Sequence, residues 1–471
     1  MPEFTLDEIL NSTLGHTEMS GKYRKFLGVA TDSRKTEGGE LFFALTGPNF
    51  DGHNFAHEAA IKGARGIVIS DTIATDNLPD GVWVIRVDDT LKAMQRLAQH
   101  NRHRLGTFVI AVTGSTGKTS TKDMIYSIFS QRMLTTRTHQ NFNNEIGVAL
   151  TLLGLEKHHE VCVVELAMRA PGEIRELSRI AAPDMGIITN VGESHIELLG
   201  SVENIAKAKA ELFEVLGDSG IALLNGDCPH TAKIRDMVRG RAILFGCEDT
   251  NEVRGKDIVN LGKDGTQFVI EYGERSFKAH VPVPGIHNVH NALAAAAVAL
   301  VSGLDTHAII EGLANPELTF QRMDIIEAAS GFTVIDDTYN ASPSSMNAAL
   351  HVLKDIGDIK RRTIAVLGNM LELGHIADEA HKNLSKTIVD CSIDILVTVG
   401  DLAGLAGKEA VRLGKDPNTV FRFCEKTEAI DTLMELIRPD DVILVKGSRS
   451  MEMEEISKAL LEGTGGEPHV S

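Results

Sequence analysis

The amino-acid sequence predicts an α/β protein of three domains, the central one built around a phosphate loop. Three observations carry this expectation. The chain has 471 residues, and about 150 residues per domain gives about three domains. Short apolar runs closed by Gly, Asp or Asn alternate with helical patterns over most of the length, which is how a parallel α/β fold reads. At residues 107–129 an apolar run, a glycine turn, Lys-Thr and a helical pattern follow one another directly.

The first domain, residues 1–87, carries the runs 41–45 (LFFAL) and 66–69 (GIVI) as strand candidates. Asp89 and Thr90 then cap a helix with Leu91, Met94, Leu97 and Ala98 on its apolar side, a connector over residues 88–106. The central domain, residues 88–317, begins with the strand candidate 107–112. It continues with 161–164 and 185–188, a hairpin of 268–272 and 276–281 around Gly273-Glu274, and a buried alanine-rich helix over 291–300. The third domain, residues 318–471, has strand candidates at 332–335, 363–367, 395–399 and 442–445, each followed by polar residues or Gly. Ligands of such sheets bind beyond the carboxyl ends of the strands. The tail 463–471 is expected to fray.

Composition excludes several classes. Apolar residues make up 43% and charged residues 24%, which rules out a disordered chain. The 47 basic and 65 acidic residues leave a formal charge of −18, which argues against a general binder of nucleic acid or anionic membrane. A small anionic ligand needs only a local positive pocket. Cys162, Cys228, Cys247, Cys391 and Cys424 are scattered without CxxC or Cys/His ligand spacing, so reduced thiols are expected. His287 and His290 near a helix start have no acidic or Cys partner in the sequence, and no transition-metal signature emerges. The start lacks the basic and apolar segments of a signal peptide, and no stretch is long enough to span a membrane; a soluble cytoplasmic protein is expected.

The local chemistry centres on Gly114, Ser115, Thr116, Gly117, Lys118, Thr119 and Ser120. Glycines let backbone amides approach phosphates, and the helix N-terminus offers unpaired N–H groups. Lys118 would reach the β/γ-phosphates and Thr119 would hold Mg²⁺. The general pattern GxxxxGK[ST] asks for Gly at position 112, where Val112 stands. Glu165 closes the run 161–164 and His195 follows 185–191, so both could converge on the loop if those strands are neighbours. In residues 201–217, Lys209 falls in the middle of the stripe formed by Val202, Ile205, Ala206, Leu212, Phe213 and Leu216, whereas Lys207 lies off it. A lysine there must snorkel, pair with an acid, or be chemically altered.

Together with residues 285–292 (GIHNVHNA) and 336–343 (DDTYNASP), these features resemble the Mur ligase family, ATP-dependent amide-forming enzymes of bacterial cell-wall synthesis. The segments 31–34, 39–44, 51–53, 141–147, 368–374 and 446–449 extend the resemblance over nearly the whole chain. It implies an N-terminal α/β domain for a UDP-linked substrate, a central P-loop mononucleotide-binding α/β domain and a C-terminal Rossmann-like domain. The implied reaction adds D-alanyl-D-alanine to UDP-N-acetylmuramoyl-tripeptide through an acyl phosphate, giving ADP, phosphate and the UDP-muramoyl-pentapeptide.

The resemblance also implies residue roles. Ser33, Asp51 and His53 would serve the UDP-substrate, and Asn143 and Asn144 would face the substrate side of the cleft. Glu165 and His195 would hold Mg²⁺, with a carbamylated Lys209 helping at a second Mg²⁺. Asn288 and Asn291 would contact adenine, and Arg322 and Asp337 would close on phosphates and ribose. A monomer is expected. The chain departs from the family pattern at Ala167, where Gly is usual, and at Thr338 and Ser342, where Ser and Asn are frequent.

Two alternatives stand beside this reading. One is another amide ligase of the same family or a folylpolyglutamate-like ligase. The other is a P-loop nucleotide-binding regulatory protein, which predicts an NKxD-like guanine signature that the chain lacks.

Overall fold

The computed structural model describes residues 1–74, 77–358 and 360–463. Three large sheets follow one another along the chain, beside two two-stranded ones among the described residues. The first has five strands in the order His16–Met19, Trp83–Arg86, Gly66–Ile69, Leu41–Phe43, Val29–Ala30, antiparallel only at its first pair. Its apolar faces bury Phe42, Ile67, Ile69 and Val84 on one side and Phe43, Val68 and Ile85 on the other. Asp89 accepts from the Lys92 N–H and starts the helix Thr90–Leu105, which left-handed Gly106 ends. Met94, Leu97 and Ala98 of that helix are buried, and Leu91 is half-buried.

The second sheet has nine strands. Seven run parallel in the order Thr135–Arg137, Val161–Glu165, Phe108–Thr113, Met185–Ile188, Ile221–Asn225, Arg241–Gly246, Val253–Asn260. The antiparallel strands Thr266–Tyr272 and Arg275–Val281 complete it. From Phe108–Thr113 the chain moves first to one side of the sheet and later to the other. The carboxyl end of that strand is therefore a topological switch point, the position at which open α/β sheets form a ligand crevice. The helix Lys118–Phe129 buries Met124, Ile125, Ile128 and Phe129 in the same apolar cluster as the alanine-rich helix Ile286–Val301.

The third sheet runs Asp324–Glu327, Thr333–Asp336, Val442–Lys446, Thr363–Gly368, Ile395–Val399, Val420–Phe423, with only its first pair antiparallel. A polar anchor ties the linker ahead of it to the central sheet. Asp123, buried in the helix Lys118–Phe129, takes Arg137 at 3.0 Å. Its other carboxylate oxygen accepts from the Thr319 N–H and hydroxyl at 2.8 and 2.7 Å. Two residues with left-handed backbone, Gln321 and Met323, follow before the first strand.

The structure extends the sequence expectations in places. Glu165 is the last residue of its strand rather than the residue after it. The strands His16–Met19, Val29–Ala30 and Trp83–Arg86 of the first sheet, and Thr135–Arg137, Ile221–Asn225, Arg241–Gly246, Val253–Asn260, Asp324–Glu327 and Val420–Phe423, are among those the sequence does not announce. Of the frayed tail expected at 463–471, residues 464–471 lie outside the described residues. Among the described residues no helix is long and apolar enough to cross a membrane.

Candidate active site

A cavity of about 1030 Å³ opens over the carboxyl edge of the central sheet and is lined by residues 115–120, Glu165, His195, Asn288, Asn291, Arg322, Asp337 and Lys446, among others. Its floor is the phosphate loop. Val112 lies inside the strand, in register with Glu165 on one side and Ile187 on the other, so the turn begins after it and glycine is not needed there. Gly114 and Gly117 are the required ones. A Cβ on Gly114 would lie 1.9 Å from Thr189 Oγ1, and one on Gly117 2.3 Å from Asn291 Oδ1. The helix Lys118–Phe129 starts without a side-chain cap, which leaves its first N–H groups to an anion. Lys118 Nζ donates to the loop's own Gly114 carbonyl at 2.9 Å. Burial lowers the Lys118 pKa and Arg322 adds to this, while Glu165 opposes it.

Asn190, which sequence reasoning missed, fixes the loop. Its Oδ1 accepts from the Thr116 N–H at 2.9 Å and its Nδ2 donates to Thr116 Oγ1 at 2.6 Å. Thr189 Oγ1 donates to the Thr116 carbonyl at 2.6 Å. The available signal was position: both residues follow the strand Met185–Ile188 at its carboxyl end.

The predicted polar residues divide into those brought together and those held elsewhere. The Thr119 hydroxyl donates to Glu165 Oε2 at 2.9 Å, and Asn143 Nδ2 donates to Oε1 at 2.8 Å. Asn143 thus supports Glu165, and Asn144 caps the helix Glu145–Leu153 through the Gly147 N–H. His195, in left-handed backbone, borders the cavity, and its Nδ1 lies 2.6 Å from the Glu372 carboxylate of the third sheet's loop. Lys209 is 2% exposed on the helix Val202–Leu216, whereas Lys207 is exposed. Burial, and then the like charge of Lys118, holds its pKa well below the ordinary lysine value. Lys209 is not among the residues that line the cavity.

At the far end, Asn288 Nδ2 donates to the Pro284 carbonyl at 2.9 Å and Asn291 Nδ2 to Asn288 Oδ1 at 3.2 Å. Arg322 donates to Thr119 Oγ1 at 3.1 Å and lies 3.8 Å from the centre of the Tyr339 ring. Buried Lys446 reaches Asp337 Oδ2 at 2.6 Å and the Asn340 carbonyl at 2.8 Å. Tyr339, Glu372 and Lys446 lie in segments that carry the family resemblance, and the sequence alone gives them no role.

The first-sheet candidates lie away from this cavity. Ser33 Oγ donates to Glu58 Oε2 at 3.0 Å. Asp51 accepts from the His53 N–H at 3.0 Å and meets His53 Nδ1 at 2.6 Å. His53 Nε2 accepts from the Ser70 and Asp71 N–H groups at 3.0 and 3.1 Å, so both ring nitrogens are occupied in joining this loop to the end of the strand Gly66–Ile69. One expectation fails outright. His290, read from sequence as lacking acidic or Cys partners, meets Asp227 at 2.8 Å and clusters with Cys247. The three are far apart in sequence, so no local spacing could reveal them.

Family models match most of the chain: "Mur ligase family, catalytic domain" over residues 25–102, "Mur ligase middle domain" over 112–299, and "Mur ligase, glutamate ligase domain" over 321–449. The UDP-N-acetylmuramoyl-tripeptide–D-alanyl-D-alanine ligase of Bacillus subtilis is 38% identical over 92% of this chain and 93% of its own length. That of Escherichia coli is 35% identical over 97% of each. Among solved structures, MurF from Acinetobacter baumannii superposes with a TM-score of 0.89 at 31% identity, over 98% of this chain and 99% of its own. MurF from Thermotoga maritima, in complex with ADP, gives 0.81 at 25% identity, over 92% and 97%.

Proposed function

The chain belongs to the Mur ligase family, and from that premise we propose that it joins D-alanyl-D-alanine to UDP-N-acetylmuramoyl-tripeptide with ATP as the driving reactant. The observation that carries this reading is convergence. One cavity gathers an uncapped phosphate loop, a carboxylate and a histidine from the central sheet, and cationic and acidic groups from the third. The named relatives match along nearly their full lengths.

Amide formation from a carboxylate in water is uphill, so the carboxylate must first be activated. In the proposed reaction a terminal carboxylate oxygen of the tripeptide bonds to the γ-phosphorus of ATP, and the bond to ADP breaks. The neutral amine of the dipeptide then attacks the acyl carbon, a C–N bond forms, the bond from the acyl carbon to the phosphate oxygen breaks so that phosphate leaves, and the surplus amine proton goes to the released phosphate or solvent. Loop N–H groups and Lys118 hold the phosphates, Lys118 exchanging its carbonyl partner for phosphate oxygens. Arg322, braced on Tyr339, adds positive charge from the linker. Asn288 and Asn291 bind adenine, and Asp337, fixed by Lys446, faces the ribose and phosphates. Holding both reactants in one geometry can supply ~7–11 kcal/mol. The third domain closing over the cavity protects the acyl phosphate from water.

The Thr119 hydroxyl and Glu165 carboxylate, already paired at 2.9 Å, form an oxygen donor set that suits Mg²⁺. Thr119, Glu165 and His195 would hold one ion, and Lys209 as a carbamate would help hold a second. When bound, Mg²⁺ supplies charge neutralisation at the phosphates. The burial and lowered pKa of Lys209 support the carbamate, because an uncharged amine can add to CO₂, forming an N–C bond and releasing one proton.

In this reading residues 1–87 bind the UDP-sugar peptide, with Ser33 near the uridine diphosphate and Asp51 and His53 shaping the loop beside it. Asn143 and Asn144 lie toward the substrate through their place on the cavity wall. Residues 88–317 bind ATP and residues 318–471 close the cleft, in a monomer of the bacterial cytoplasm. Incubation with ATP, D-alanyl-D-alanine and tripeptides ending in lysine or diaminopimelate tests the reading and identifies the third residue. Pentapeptide and phosphate are expected. Use of single amino acids instead of the dipeptide would transfer the chain to another ligase of the family. ATP hydrolysis indifferent to both substrates would favour a regulatory protein.

A further inference from the structure

Asp227, Cys247 and His290 have no part in the reaction above, although His290 borders the cavity. Asp227 follows the strand Ile221–Asn225 and Cys247 follows its parallel neighbour Arg241–Gly246, so both stand on one sheet edge. His290 comes to them from the first turns of the helix Ile286–Val301. One donor atom from each residue lies within 4.8 Å of the other two. Asp227 Oδ2 is 2.8 Å from His290 Nε2.

The surroundings orient these groups. His290 Nδ1 meets the Ile286 carbonyl at 3.0 Å, which leaves Nε2 for the cluster. A backbone partner on the second ring nitrogen is the usual way a protein aims a ligating imidazole. Asp227 Oδ1 accepts from the Glu248 N–H at 3.1 Å and from Asn251 Nδ2 at 2.7 Å, and Oδ2 accepts from the Cys247 N–H at 2.6 Å. The carboxylate is thereby held by the turn that carries the thiol.

We propose that Asp227, Cys247 and His290 form a binding site for a borderline divalent cation of the zinc class, set in the wall of the nucleotide cavity. A mixed sulfur, nitrogen and oxygen set suits Zn²⁺ or Co²⁺ and not Mg²⁺, which demands oxygen. Thiolate and carboxylate together balance the charge of the ion. On binding, one bond to the metal forms from each of Sγ, Nε2 and a carboxylate oxygen. The thiol proton, and any proton on Nε2, go to solvent. Three protein ligands leave a fourth position for water.

Titration of the full chain with Co²⁺ in excess Mg²⁺ tests the site. A thiolate-to-cobalt charge-transfer band saturating at one equivalent, and bleached by Zn²⁺, is expected; Cys247→Ser should abolish it. No such band, or one that persists in Cys247→Ser, overturns the proposal. Should the variant not fold, alkylation of the parent decides. Zn²⁺ should slow modification of Cys247, read by peptide mass spectrometry, at least tenfold, and an unprotected Cys247 overturns the site.

Discussion

The Glu372 carboxylate lies 2.6 Å from Nδ1 of His195, joining a loop of the third sheet to a residue on the cavity wall. Glu372 is half exposed, so solvent screens the pair and its worth is about 1 kcal/mol. Glu372→Gln is expected to lower kcat/KM several-fold while leaving the thermal midpoint within a degree or so of the parent. Steady-state kinetics beside a melting curve check this. An unchanged kcat/KM would show that the contact does not help align the two sheets for the reaction.

Lys209 should separate activity from stability. Lys209→Ala is expected to lose ligation by about 10²-fold or more, with partial recovery when a short-chain carboxylic acid is supplied. Lys209→Met keeps the apolar stem without the buried amine, whose pKa burial already holds well below the ordinary value, and is expected to be at least as stable as the parent, yet inactive. Denaturant unfolding and a phosphate-release assay on the same preparations measure both.

Gly117 has φ of 77° and no room for a Cβ. Gly117→Ala is expected to cost about 1–2 kcal/mol from the left-handed backbone alone and to weaken ATP binding by displacing Asn291. Calorimetric titration with ATP and a thermal melt read the two effects. Binding at parental affinity would show that the loop tolerates the added carbon.

Two buried groups should tilt the pH dependence of stability in opposite senses. Burial, with the nearby Lys446 charge, lowers the His287 pKa to about 4, although Asp337 opposes the shift. Between pH ~4 and ~6.5 the unfolded chain binds this proton and the folded chain does not, so stability falls as pH falls. Burial, with the like charges of Asp336 and Asp337, raises the Asp324 pKa to about 6 against the Gln321 N–H. Between pH ~4 and ~6 the folded chain holds the extra proton, and stability rises as pH falls. His287→Gln and Asp324→Asn should each remove one slope, on the order of 1 kcal/mol across the window. Unfolding free energies of parent and variants at pH 4.5, 5.5 and 6.5 test the signs.

Much of the fold was legible because local rules acted alone. Asp89 caps its helix, Gly273-Glu274 turns its hairpin, and the stripe that contains Lys209 is buried as its spacing requires. The phosphate loop was visible because strand, glycines and helix are contiguous. What stayed hidden was long-range pairing. That the Asn143 amide donates to Glu165 joins residues 22 positions apart, which no local pattern announces. Nor does the sequence announce that Asp51 and His53 meet each other and that His53 reaches the end of a strand. The strand Val420–Phe423 is half exposed at a sheet edge, with too little apolar alternation to announce itself. The cluster at His290 draws on three segments that only the order of the sheet brings together.

Asp123 holds Thr319 by two hydrogen bonds, and Asp324 begins the third sheet. Any swivel of that sheet against the central one is therefore confined to residues 320–323, a pivot only four residues long. Arg322 stands on the pivot itself, between two left-handed residues and in contact with Thr119. A change of angle between the sheets would therefore turn the backbone that carries this guanidinium, which places one positive charge of the phosphate loop at the joint between the sheets.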